Sequence, residues 1–121
     1  MKTSLSLKKV HGEKPALASH PPALRDLVRQ VVSAVRPLKV ILFGSRARGE
    51  AKPGSDYDLL VLMPDGTHRR HTSQKLHGKV LVMELDYDFL VATPGDLQKY
   101  GDHPSLVYKY ALQDGVELYV A

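Results

Sequence analysis

Residues 38–63 read LKVILFGSRARGEAKPGSDYDLLVLM, and the fold turns on them. The run from Leu38 to Phe43 is apolar and partly β-branched, which suits a buried strand. Gly44 ends it sharply. From Ser45 to Ser55 the residues are small, basic and broken by Gly and Pro, the composition of a turn and loop. Asp56 to Met63 then forms a second apolar strand, closed by Pro64-Asp65-Gly66.

Upstream, Pro21-Pro22 opens a helix. Leu24, Leu27, Val28, Val31, Val32 and Val35 recur at helical spacing, with Arg25, Asp26 and Arg29 on the opposite face. Pro37 stops it, because a residue before proline avoids the helical region. Downstream, residues 67–79 are polar and basic and predict a short helix whose end Gly78 weakens. Val80 to Met83 suits either a continuing helix or a strand. From Asp86 to Val91 the strand reading prevails. Thr93-Pro94-Gly95-Asp96 predicts a helix start, with Thr93 as N-cap and Asp96 reaching back. A last helix through Leu106, Val107, Tyr110 and Ala111 is expected to stop at Gly115 in a left-handed conformation. Val116 to Val120 alternates, predicting a half-exposed final strand. Interleaved helices and strands imply an α/β (α+β) domain with one mixed sheet and flanking helices.

With 121 residues, 43% of them apolar, the chain suits one domain with its own core. The absence of Cys removes disulfide scaffolds, thiolate zinc sites and Cys nucleophiles, and fits a reducing compartment. No apolar run approaches the roughly 20 residues of a membrane helix, and the start MKTSLSLKKV is not a signal peptide. A soluble, cytoplasmic domain follows as the expectation. Most of the net charge of +4 lies in Lys2, Lys8, Lys9 and Lys14. Residues 1–20 therefore read as a flexible basic tail and 21–121 as the folded domain. With two Phe and no Trp, stacking platforms for single-stranded nucleic acid are few, so a nucleic-acid partner is not expected.

Three features point to chemistry. Gly44-Ser45 directly follows a buried strand, where a glycine permits close backbone approach to a ligand. Arg46 and Arg48 add cations nearby. Asp56 and Asp58, two apart at the mouth of a strand, share one face. Two such carboxylates repel unless a divalent cation or a proton neutralises them, and hard oxygen ligands suit Mg²⁺ held together with substrate phosphates. Asp86 and Asp88 repeat that spacing in a third strand, so either could complete a three-carboxylate site.

Ten residues separate Ser45 from Asp56, giving Gly-Ser-x10-Asp-x-Asp. GSRARGEAKPGSDYDLLV, residues 44–61, resembles the minimal nucleotidyltransferases of the DNA polymerase beta superfamily. DYDFLVATPGDL, residues 86–97, is similar to that family's third-carboxylate strand and following helix, and SLVYKYALQDGVELY, residues 105–119, to its closing helix and strand. The resemblance implies a polymerase-beta-like nucleotidyltransferase fold. It implies that Gly44 and Ser45 hold a nucleoside triphosphate, that Asp56 and Asp58 bind two Mg²⁺ ions, and that Asp88, or Asp86 in its place, is the third ligand. Arg46 and Arg48 lie in the matching loop, where charge and proximity suggest phosphate contact.

The implied reaction moves a nucleoside monophosphate, AMP from ATP, to a hydroxyl. Resemblance to stand-alone minimal members suggests an acceptor on a partner protein, a HEPN toxin, with this chain as its antitoxin. The alternative is a non-catalytic module that binds nucleotide or blocks a partner by contact. A metal-dependent glycosyltransferase using Asp-x-Asp is disfavoured by chain length. The six histidines and the basic segment 68–79 receive no role.

Overall fold

The computed structural model describes residues 11–100, 111 and 113–121. In chain order the regular elements are α1 (Pro22–Val35), β1 (Lys39–Phe43), α2 (Ser45–Arg48), β2 (Tyr57–Leu62), α3 (Arg69–Lys79), β3 (Tyr87–Ala92), α4 (Pro94–Tyr100) and β4 (Val116–Val120). A 3₁₀ turn, Pro15–Ser19, precedes them. The strands form one sheet in the order β3-β2-β1-β4. β1 is antiparallel to both β2 and β4, whereas β2 and β3 run parallel. A parallel pair needs a crossover connection, and α3 lies within it.

The two inner strands are apolar on both faces because both are covered. On one face Val40, Leu42, Leu59, Val61, Val91 and Leu118 pack with Leu24, Leu27, Val28 and Val31 of α1 and Leu76 of α3. On the other, Ile41, Phe43, Leu60 and Ala92 gather with Ala111, against Leu90 and Leu97. Fully burying side chains of this size stabilises by roughly 1.5–3 kcal/mol each. The helix α1 ends as expected: Arg36, ahead of Pro37, leaves the right-handed region at φ 49°. The start of α4 also matches. Thr93 N donates to Asp96 Oδ2 at 3.0 Å and Asp96 N to Thr93 Oγ1 at 3.2 Å, a reciprocal capping pair.

Four expectations need correction. Residues 11–20 are not a loose tail. Lys14 N donates to Leu118 O (3.0 Å), Val120 N donates to Gly12 O (2.8 Å), and Leu17 is buried. Glu13, also buried, bonds Arg29 Nε at 2.6 Å and lies 3.6 Å from Arg25 Nε. A lone core leucine and a paired buried carboxylate leave almost no compositional trace. Residues 1–10 lie outside the described residues.

Val80 to Met83 is neither helix nor strand. Val80 and Val82 are buried while Leu81 and Met83 are exposed, so the side chains alternate as in a strand. A side chain takes the place of a partner strand: Leu81 N donates to Gln30 Oε1 (2.8 Å) and Gln30 Nε2 to Leu81 O (3.1 Å).

Gly115 does not adopt a left-handed conformation. It is needed for space, because a Cβ there would collide with Ala111 O and Ile41 Cγ2. The expected helix residues Leu106, Val107 and Tyr110 lie outside the described residues.

The final strand does not alternate cleanly, since Leu118 and Tyr119 are both buried. The register shifts between Val40 and Ile41, which pair with Tyr119 and Glu117. This bulge leaves Leu118 unpaired and turns both neighbours into the same core. Among the described residues no helix is long and apolar enough to cross a membrane.

Candidate active site

Gly44 stands where β1 becomes α2, at φ 75° and ψ −160°. A side chain is excluded there twice over. The dihedrals disfavour L-residues, and an added Cβ would collide with Asp58 Oδ2. The register explains the closeness, because Phe43 pairs with Asp58 across the β1–β2 ladder. The acidic strand end is therefore packed directly against the glycine bend. The four-residue α2 closes at Gly49, a left-handed residue with φ 73°.

In the loop from Gly49 to Ser55, Lys52 N donates to Ser55 Oγ at 3.0 Å, and the end of the loop is clamped by Arg46. Arg46 Nη2 and Nε donate to Ser55 O at 2.9 and 3.1 Å. The same guanidinium lies 4.5 Å above the ring of Tyr57, a cation–π contact. Arg46 thus fixes the backbone one residue before Asp56 and the side chain one residue after it. Tyr57 is buried, and His20 approaches its ring edge-on at 6.2 Å. Burial first, and then the Arg46 charge, hold the His20 imidazole below its ordinary pKa.

Asp58 and Asp88 are direct partners in the parallel β2–β3 ladder. Neighbouring strands are about 4.8 Å apart, so the two carboxylates start one rung apart. Both stand on the face of Phe43 and Leu60, away from α1. Asp56 precedes β2 and is exposed. Asp86 contributes its backbone, accepting from Tyr57 N at 2.8 Å, and so locks the starts of β2 and β3 together. The rung beside Asp58 thus belongs to Asp88, not to Asp86. Partial burial pushes the Asp58 carboxyl above its ordinary pKa, the charges of Asp56 and Asp88 add to this, and Arg48 opposes it.

Among the described residues no three His, Asp or Glu side chains close into a coordination cage. The acidic groups are electrostatic neighbours, not a collapsed cluster. The donor set nonetheless fits a hard divalent cation: it is all carboxylate oxygen, and Asp58 carries the strain of two like charges that a cation would relieve.

The two arginines have other partners on the protein. Besides the clamp made by Arg46, Arg48 Nε donates to Glu50 Oε1 at 2.6 Å, and its Nη1 lies 3.5 Å from Asp114 Oδ2. Ser45 is half-buried at the first turn of α2. The clamp residues Ser55 and Tyr57 escape a reading of the sequence for chemistry. Their signal was the aromatic residue between the two aspartates, beside an arginine at the loop's other end.

A profile for a nucleotidyltransferase domain matches residues 24–118. The chain belongs to this nucleotidyltransferase family. It is, accordingly, an enzyme of nucleotidyl transfer. A structure from Sulfolobus solfataricus, assigned to the nucleotidyltransferases, shares the fold with a TM-score of 0.58 at 21% identity, covering 81% of this chain and 78% of that one. A toxin-antitoxin structure with AMP-PNP aligns at 22% identity and a TM-score of 0.49, covering 82% of this chain and 72% of the other. No curated protein sequence matches this chain.

Proposed function

We propose that this nucleotidyltransferase moves AMP from ATP to a hydroxyl on a partner protein, in the cytoplasm, and that the partner is a HEPN-type toxin for which this chain is the antitoxin. The observation that carries the transfer reading is the Asp58–Asp88 rung packed against Gly44, with Asp56 beside it. The partner reading rests on the resemblance of residues 44–61 to stand-alone minimal nucleotidyltransferases.

In this reading Asp56, Asp58 and Asp88 hold two Mg²⁺ ions. When bound, the ions offset charge that develops on the entering and leaving oxygens. Gly44 and Ser45 receive the triphosphate at the bend, where no side chain blocks its approach. Arg48 adds positive charge beside them, and Arg46 keeps the loop that presents Asp56 in place. The acceptor oxygen forms a bond to the α-phosphorus, the α–β bridging P–O bond breaks, and pyrophosphate leaves. The hydroxyl proton passes to the Asp88 carboxylate or to solvent. Catalysis of this kind comes from positioning and electrostatics.

The test is transfer of label from α-labelled ATP to a neighbour-encoded HEPN protein in the presence of Mg²⁺. Asp56→Ala with Asp58→Ala should reduce labelling by about 100-fold or more. If the double variant neutralises the partner as well as the wild type does, contact alone suffices and the transfer reading fails.

A further inference from the structure

Helix α3 and the C-terminal half of β3 carry a basic surface beyond the Gly44–Asp58–Asp88 site. Residues 67–83 contain Arg69, Arg70, Lys75, Lys79 and three histidines, and no Asp or Glu. The first turn of α3 lies beside β3, an outer strand of the sheet. Between them runs a groove of about 680 Å³, lined by His68, Arg69, Arg70, Ser73 and the segment Phe89-Leu90-Val91. Phe89 and Val91 belong to one face of the sheet and Leu90 to the other. The groove therefore follows the edge of the strand. Among the described residues no strand pairs with the outer side of β3.

We propose that this groove docks the acceptor: an extended, acidic segment of polypeptide that adds to β3 as a further strand, with its carboxylates against Arg70 and its hydroxyl alongside Asp88. This rests on the transfer reading above and names what that site would take.

Three observations favour a polypeptide. The edge of β3 offers a row of main-chain donors and acceptors, which another main chain matches. The cations at the C-terminal end of β3 select negative charge. Arg70 is exposed and supplies the positive charge, whereas Arg69 already pairs with Asp96 at 3.5 Å. The rings described in the groove are already engaged: Phe89 meets His77 edge-on at 6.1 Å and Tyr87 at 5.4 Å, and His68 stacks on His71 at 3.9 Å.

The same strand joins docking to chemistry. Asp88 and Val91 are three residues apart along β3, about 10 Å at the rise of a strand. A segment paired there has one residue opposite Asp88 and acidic residues three to five positions away, opposite the groove's cations. The spacing holds for either strand direction.

The test uses a fluorescein-labelled nonapeptide with one tyrosine, glutamates three to five positions from it, and β-branched residues elsewhere. It should bind the full chain, and binding should weaken at least about tenfold in Arg70→Glu. A peptide with lysines in place of the glutamates should recover affinity for that variant. N-methylation of alternate peptide amides, which leaves charge unchanged, should also weaken binding at least about tenfold. Asp88→Asn should bind the peptide as the wild type does but fail to label it from α-labelled ATP.

The proposal is overturned if the wild type does not bind the acidic peptide below about 1 mM. It is overturned equally if the N-methylated peptide binds as well as its parent, or if an oligouridylate of equal length binds more tightly. Binding with the expected pattern but no labelling by the wild type would defeat the transfer reading and the acceptor role, while leaving the β3 edge as a peptide site.

Discussion

The segment from Gly44 to Asp58 and the segment from Arg69 to Ala92 are both connections between strands, and they are built in opposite ways. The first is held from several sides. Asp58 packs on Gly44, Arg46 bonds Ser55 and covers Tyr57, and Tyr57 N is tied to Asp86 O. The second rests on a helix with two buried residues, Thr72 and Leu76. Its exit is held by the amide of Gln30 and by the Tyr87 hydroxyl, which lies 3.3 Å from Val82 N and 3.4 Å from Val80 O. Where charge must be placed to within fractions of an ångström, the chain uses register and packing. Where a surface must accept another chain, it uses a lightly anchored polar helix.

That contrast is sharpest at Gly44. Gly44→Ala should destabilise the protein by about 2–3 kcal/mol in urea unfolding, through positive φ and collision with Asp58, and should abolish transfer. A loss below about 0.5 kcal/mol would mean that the bend relaxes freely, and the difference between the two segments would shrink.

The second segment should respond more locally. Gln30→Ala removes both bonds to Leu81 and should lower stability by about 1 kcal/mol. Hydrogen exchange should quicken at the amides of residues 80–86 and stay unchanged at 44–58. Faster exchange in both segments would show that they open together.

The smallest effect concerns charge. The Asp58 carboxyl is raised in the folded protein, so the folded state holds its proton more tightly than the unfolded chain does. Stability contributed by this group is present at acid pH and is lost as pH rises through the folded value. Asp58→Asn should therefore raise the Tm slightly at pH 7, with the gain shrinking as pH falls. Added Mg²⁺ should raise the Tm of the wild type but not of the variant. A gain that grows toward acid would reverse the assigned sign.

Much of this arrangement was legible in the sequence. Apolar runs bounded by Gly44 and Pro64 place β1 and β2, and Asp56 and Asp58 fall at the strand mouth because the apolar residues begin just after them. The Thr93-Pro94 helix start favours Asp88 over Asp86 in the sequence, but it does not give the pairing of Asp88 with Asp58. A two-residue slip keeps a side chain on the same face, and only the ladder fixes the rung. The clamp by Arg46 was hidden for a related reason: its partner is a carbonyl, which every residue possesses. The packed segment 11–20 escaped notice because its hold on β4 is mostly main chain. Composition there reports only the charges, and those also suit a solvated arm.

That segment has a consequence for assembly. Gly12 and Lys14 cover the free margin of β4, and Glu13, held by Arg29, pins them there. One border of the sheet is thus capped by the chain's own backbone, while among the described residues the opposite border is not. A sheet with a single receptive border can be extended by one visitor and no further. It is a terminus, unable to propagate into a stack, so recognition through β3 would carry little risk of runaway polymerisation.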